Sequence, residues 1–246
     1  MLILWDFHHS QNALLLQRFV IECRLMRRGN LVENIALMDK VNDTLLIEGL
    51  SYSYRGLEVF NDFSLHSTSR ITVLRGASGC GKTTLLKLLS GNLEPDRVTV
   101  MPETRGSCLV LQEDSLFPWL SGIENISKLT MIEKSIFRQH PMFELIAPFV
   151  DRKACRMSYG QRRIVELFRA IVFRPRFLYL DEPFNFLDED NMGLVVPFLQ
   201  DDWLKDTTLV LSNHHKDDVG LLQAADVFKF DGKFPISSLN CINTQR

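Results

Sequence analysis

The chain has 246 residues, 46% of them hydrophobic, enough for one large α/β domain or two small ones. Its formal net charge of −2 gives no reason to expect nucleic acid or an acidic membrane face as a partner. Five cysteines without a C-x-x-C pair fit a reducing cytosol rather than a disulfide scaffold, and no stretch approaches the ~20 apolar residues of a membrane span.

Residues 1–43 read as an extension unlike the rest. No early basic region is present and Asp6 interrupts the start, so an export signal is not expected. Leu15, Leu16, Phe19, Val20, Cys23 and Met26 recur at helical spacing with polar residues between them, which is the pattern of an amphipathic helix. Two readings stay open. This helix docks on the main domain, a partner or a membrane surface, or Met38 is the true start and the segment lies upstream of it.

From Thr44 the pattern becomes regular. Leu45–Leu50 and Val59–His66 read as strands, and Ile71–Leu74 as a third. Short strands are expected near Val98–Met101 and Cys108–Gln112, and mostly helix over 123–150, broken at Pro141 and Pro148. A second strand–helix series starts at Phe177 and ends with Leu209–Ser212, Val227–Phe230 and the turn Asp231-Gly232. This alternation predicts an α/β fold with a mainly parallel sheet covered on both faces.

The segment Gly76-Ala77-Ser78-Gly79-Cys80-Gly81-Lys82-Thr83-Thr84 fits G-x-x-x-x-G-K-[ST] and lies between the Ile71–Leu74 strand and a helical run. Strand, glycine loop and helix together make a phosphate site. The loop's N–H groups and the positive helix end attract phosphate oxygens, Lys82 adds a point charge, and Thr83 offers a hydroxyl to Mg²⁺. Phe177–Leu180 is an apolar strand ending in Asp181-Glu182. Ligands gather at the carboxyl ends of parallel strands, so Asp181 is expected beside the loop as a metal partner and Glu182 as the base for an attacking water. The plain alternative is an acidic turn. Ser158 is a candidate N-cap for the helix after Met157-Ser158-Tyr159-Gly160-Gln161. It is either an ordinary capped helix or a second anion-ready terminus that a dimer would turn toward its partner's nucleotide.

These motifs, in this order over residues 44–232, resemble the nucleotide-binding subunit of an ATP-binding-cassette (ABC) transporter. Ser158-Tyr159-Gly160-Gln161 is similar to the family signature, usually Leu-Ser-Gly-Gly-Gln. The resemblance implies a phosphate-loop fold with an antiparallel β-subdomain and an inserted helical subdomain at about residues 115–160. It implies that Tyr54 stacks on adenine and that Gln112 senses Mg²⁺ and links to the membrane partner. It further implies that Asp188 crosses a dimer interface and that His214 contacts the γ-phosphate. Tyr54 is otherwise a turn aromatic, Gln112 a solvated strand end, and either His214 or its neighbour His215 surface filler.

The sequence departs from the pattern at Tyr159, in place of the first signature glycine, at Met157 and at Ile164, where a basic residue is common. The implied protein is an ATPase using ATP and Mg²⁺ that dimerises with a like subunit. Ser158, Gly160 and Asp188 would come from the opposite copy, and Gln161 of the signature is also counted among the nucleotide-binding residues. It would drive a separate membrane permease, served by a substrate-binding protein, from the cytoplasmic face of the membrane. The run Gln112–Trp119 and the segment Asp181-Glu182-Pro183-Phe184 resemble the nitrate, sulfonate and taurine import group. Leu116-Phe117-Pro118-Trp119-Leu120 is either core or the groove for a short permease helix. The alternatives are a weakly hydrolysing regulatory subunit and a non-transport member of the family.

Overall fold

A computed structural model describes residues 45–213 and 225–242. The expected amphipathic helix of the first 37 residues and His214 both lie outside these residues.

The described residues begin with an antiparallel hairpin of β1 (Leu45–Tyr54) and β2 (Leu57–Ser67), turned at Arg55-Gly56. Leu45, Ile47, Leu50 and Tyr52 bury one face of β1, and Val59, Phe60, Phe63 and Leu65 answer from β2. Its outer edges are not left bare. Glu48 and Ser51 bridge to Val100 and Arg97 on one side, and Phe60 bridges to Ile236 on the other. The 98–101 stretch expected as a strand therefore contributes only isolated bridges, because Pro95 and Pro102 bracket it and deny ladder donors.

The second sheet has six strands in the order β4-β5-β6-β3-β7-β8. These are β3 (Ile71–Arg75), β4 (Ser107–Val110), β5 (Phe177–Leu180), β6 (Thr208–Asn213), β7 (Ala225–Lys229) and β8 (Asn240–Cys241). All pairings are parallel except that of β7 with the short edge strand β8. Alternate residues feed two cores. Val73, Val110, Leu178, Leu180, Leu209 and Leu211 pack to one side, while Leu74, Leu109, Phe177, Tyr179 and Val210 pack to the other. Burial on both faces is why these strands read as continuous apolar runs.

Helix α1 (Lys82–Leu89) covers the hairpin side. The opposite side carries α2 (Gly122–Thr130), the single turns α3 (Lys134–Phe137) and α4 (Phe143–Ile146), the long α5 (Tyr159–Phe173) and α6 (Glu189–Leu199). The region expected as mostly helix is thus one capped helix and two short turns. Ser121 and Glu124 form a full capping box on α2, whereas α3 and α4 have no side-chain cap. The mainly parallel sheet is the one the sequence pattern predicts, and the antiparallel strand pair is what the resemblance implies.

Candidate functional site

The loop from β3 into α1 is built around two constraints. A Cβ at Gly76 would lie 2.7 Å from Cys80 Sγ and 2.8 Å from Phe230 Cβ, so only glycine fits against the end of β7. Gly81 caps α1 at φ 103°, a left-handed conformation that costs other residues strain. The remaining loop residues, Ala77, Ser78 and Gly79, lie between them, and Gly79 faces open space. Lys82 is 4% exposed, and its ammonium donates to the carbonyls of Gly76 (2.7 Å) and Ala77 (2.8 Å). Cys80 Sγ lies 3.8 Å from the same nitrogen and is buried. Thr84 follows Thr83 in the first turn of α1.

Parallel pairing of β3, β6 and β5 brings three carboxyl ends together. Thr83 Oγ1 donates to Asp181 Oδ2 at 2.8 Å. Ser212, at the end of β6 and fully buried, donates to Asp181 Oδ1 at 2.6 Å and accepts the Glu182 N–H at 2.9 Å. Glu182 has φ 46°, and its Oε2 accepts from Asn185 Nδ2 at 2.7 Å. The Thr83 hydroxyl and the Asp181 carboxylate are hard oxygen ligands that already converge, a donor set that fits Mg²⁺ with phosphate oxygens and water completing it. Among the described residues no cluster of three or more His, Cys, Asp or Glu could hold a metal.

Ser158 caps α5 reciprocally with Gln161. Gln161 N–H donates to Ser158 Oγ at 3.2 Å, and Ser158 N–H donates to Gln161 Oε1 at 3.1 Å. A Cβ at Gly160 would stand 2.9 Å from the Phe186 carbonyl, so the loop after β5 runs tight against the start of α5. Tyr159 is 64% exposed, with its ring 5.5 Å from that of Phe186 and the Arg162 guanidinium 4.3 Å from its centre. Arg162 also pairs with Asp114 at 2.6 Å. Asp188 caps α6, accepting from Asn191 N–H at 2.8 Å. Tyr54 ends β1 and is half exposed, with Arg55 over its ring. Gln112 is exposed just after β4. Phe117 is buried and Trp119 is exposed beside it, ring centroids 5.3 Å apart.

Sequence reasoning missed three residues of this site: Ser212, Asn185 and Arg163. Arg163 is buried and donates to the carbonyls of Leu111, Asp181, Glu182 and Pro183. Its neighbour Glu166 accepts from Ser115 and pairs with Arg163 at 3.3 Å. Burial pushes the Glu166 carboxyl up, while Arg163 and Arg169 pull it the other way. The signal available was an Arg, Glu, Arg series at three-residue spacing, within an otherwise apolar helix face.

A glycine loop between a parallel strand and a helix, with an acidic strand hydrogen-bonded to its threonine, defines a phosphate-loop nucleotide-binding protein. The family model described as ABC transporter matches residues 61–185. A taurine import ATP-binding protein, TauB of Pseudomonas aeruginosa, is 30% identical over 200 residues, covering 74% of this chain and 76% of that protein. The molybdate/tungstate import ATP-binding protein WtpC of Archaeoglobus fulgidus is 36% identical over 143 residues, covering 52% of this chain and 60% of its own. A putative ABC transporter ATP-binding protein from Pyrococcus furiosus shares the fold at TM-score 0.64 and 18% identity, covering 75% of this chain and 96% of that one. The chain belongs to the ABC transporter ATP-binding family and is an ATPase. Among the described residues no helix is long and apolar enough to cross a membrane.

Proposed function

We propose that this chain is the ATP-hydrolysing subunit of an ABC importer, working as a dimer that closes on ATP and drives a separate membrane permease. The observation that carries the reading is the chain of contacts from Thr83 through Asp181 and Ser212 to the Glu182 backbone, which joins a phosphate loop to a carboxylate suited to act on water. Importer function is favoured by the relatives, whose names are those of import proteins.

In this reading the loop residues Gly76–Thr84 hold the phosphates with backbone N–H groups, and Lys82 swings from the Gly76 and Ala77 carbonyls to the terminal phosphates. Thr83 and Asp181 would hold Mg²⁺, with Gln112 as a further ligand. Bound there, Mg²⁺ neutralises charge that develops on the phosphate oxygens. Tyr54 stacks on the adenine. Glu182 accepts a proton from the attacking water, and His214 contacts the γ-phosphate. Ser158, Gly160, Gln161 and Asp188 serve the nucleotide of the opposite copy. Such a role requires Ser158 to share its hydroxyl between the cap and a phosphate oxygen.

Hydrogen bonds to charged groups contribute about 1.5–3 kcal/mol each. Two or three made only to the γ-phosphate approach the ~5.5 kcal/mol that reverses a 1:99 equilibrium. Hydrolysis removes them and reopens the dimer. The exposed Trp119 beside buried Phe117 suits the permease contact. In this reading the chain works peripherally on the cytoplasmic face of the membrane, with a substrate-binding protein delivering the cargo.

The test is the mass in solution of Glu182→Gln with ATP and Mg²⁺. A dimer that forms with ATP, stays closed, and hydrolyses roughly 10²-fold more slowly than wild type is expected. A protein that binds nucleotide yet remains monomeric, with and without its natural companion subunit, refutes the reading. Wild-type turnover would remove Glu182 from its role.

A further inference from the structure

Arg163 stands on α5, one turn beyond the Ser158 cap, and is 2% exposed. Its guanidinium gathers three successive carbonyls of the acidic turn. Nη2 donates to Asp181 O (3.0 Å) and Glu182 O (3.1 Å), and Nε donates to Pro183 O (2.9 Å). Nη1 donates to Leu111 O at 2.7 Å, the residue before Gln112. Such convergence needs an unusual backbone, and Glu182 supplies it with φ 46°. A left-handed conformation is strained for a residue that carries a side chain, so something must hold it. Hydrogen bonds from a buried, planar guanidinium are strong and directional enough to do so.

The same helix holds the segment that follows Gln112. Glu166 accepts both the N–H and the hydroxyl of Ser115 (the latter at 2.9 Å), and Arg169 donates to that hydroxyl at 2.6 Å. Glu166 also fixes Arg163 through its Nη1. One face of α5 thus touches the turn that carries Glu182 and both flanks of Gln112.

We propose that Arg163 is a positioning residue for hydrolysis, clamping the strained Glu182 backbone so that its carboxylate is aimed at the water. The inference rests on the reading of Glu182 as the base. Arg163 acts through the backbone and touches no substrate, so its loss should leave nucleotide affinity nearly untouched while slowing the chemical step.

The experiment is a double-mutant cycle of Arg163→Lys with Glu182→Gln, read by binding of a fluorescent ATP analogue and by single-turnover hydrolysis. Lysine keeps the charge beside Glu166 but lacks the fork. Expected are an affinity within about 3-fold of wild type and a hydrolysis rate at least about 10-fold lower, the scale set by misplacing a reacting group. In the Glu182→Gln background, Arg163→Lys should then cost nothing further, because it acts through the missing carboxylate. A general loss of structure would instead lower both backgrounds and weaken binding. Wild-type turnover in Arg163→Lys, or an equal further loss in the Glu182→Gln background, overturns the proposal. Where Arg163→Lys does not fold, Arg163→Met/Glu166→Leu removes both members of that ion pair together, leaving Arg169 on the Ser115 hydroxyl, and enters the same cycle with the same expectations. If Glu182→Gln alone hydrolyses at the wild-type rate, the assignment of the base fails, and the clamp loses its function with it. Impaired Glu182→Gln beside unimpaired Arg163 variants defeats the clamp alone.

Discussion

Ser212 and Asp181 share a 2.6 Å hydrogen bond between adjacent strand ends, and the same hydroxyl oxygen accepts the Glu182 N–H at 2.9 Å. The serine has one proton, and it is committed to Asp181 Oδ1. That leaves Oδ2 directed at Thr83, 2.8 Å away. A single hydroxyl therefore orients the carboxylate and pins the residue after it. Ser212→Ala removes the hydroxyl acceptor of the part-buried Glu182 N–H and one partner of Asp181, which costs about 1–3 kcal/mol. We expect a lower urea midpoint and slower hydrolysis, with both partly restored in Ser212→Thr. Equal stability and turnover in Ser212→Ala would show the hydroxyl to be dispensable.

A second buried hydroxyl has the opposite character. Tyr179 is fully buried in β5, its ring stacked 6.1 Å from Phe177, and its oxygen has no hydrogen-bond partner among the described residues. Burial, its largest influence, pushes its pKa far above the usual tyrosine range, with Arg176 opposing, so it stays neutral. Tyr179→Phe removes an unsatisfied polar group while preserving the packing. Folding stability should hold or rise by up to about 1–2 kcal/mol in urea unfolding. A destabilised variant would mean that the hydroxyl has a partner after all.

The sheet and the phosphate loop were legible because their signals are local. Glycine spacing, a β-branched strand before it and an apolar helix after it occupy one continuous stretch. Ser212 and Arg163 were not legible for a physical reason. Arg163 is held mainly by backbone carbonyls at Leu111 and Asp181–Pro183, and carbonyls leave no mark in a sequence. Ser212 follows the apolar run Leu209–Leu211 as an ordinary strand-end polar residue, and its value depends on β6 lying next to β5. The resemblance supplied the order of motifs, but it offered nothing about these residues. The stretch 98–101 shows the converse failure: its β-branched residues read as strand, yet proline on both sides limits it to bridges.

Tyr159 replaces a signature glycine, and the structure shows what the ring gains. It packs against Phe186 and under Arg162, which is itself tethered to Asp114. The cation–ring contact at an exposed site is worth about 0.5–1 kcal/mol. Tyr159→Gly should lose that and some helix propensity, lowering stability by about 1–2 kcal/mol. If the Cβ at this position obstructs approach to the opposite nucleotide, the same variant hydrolyses ATP faster as a dimer. Steady-state ATPase at saturating ATP measures this, and an unchanged or slower rate would show that the tyrosine does not obstruct.

His140 makes stability fall on mild acidification. It is 1% exposed, enclosed by the rings of Trp203 (4.6 Å), Phe168 (5.6 Å) and Phe198 (5.7 Å). Its Nδ1 accepts the Met142 N–H at 3.1 Å, so the neutral ring carries its proton on Nε2, which has no partner among the described residues. Burial lowers its pKa; Asp201 opposes this and Arg174 adds to it. An unfolded histidine titrates near 6.5, so below about pH 6.5 the unfolded chain binds a proton that the folded chain refuses. The stability attached to the neutral ring is complete above that pH and is lost as the pH falls below it. Carboxylates titrate in the same range, so the comparison is with His140→Gln, which keeps them and removes the imidazole. Its melting temperature should fall less between pH 7.5 and 5.5, on the order of one proton's worth of linkage, than that of wild type. Parallel slopes would mean that His140 takes up its proton without unfolding the aromatic cluster around it.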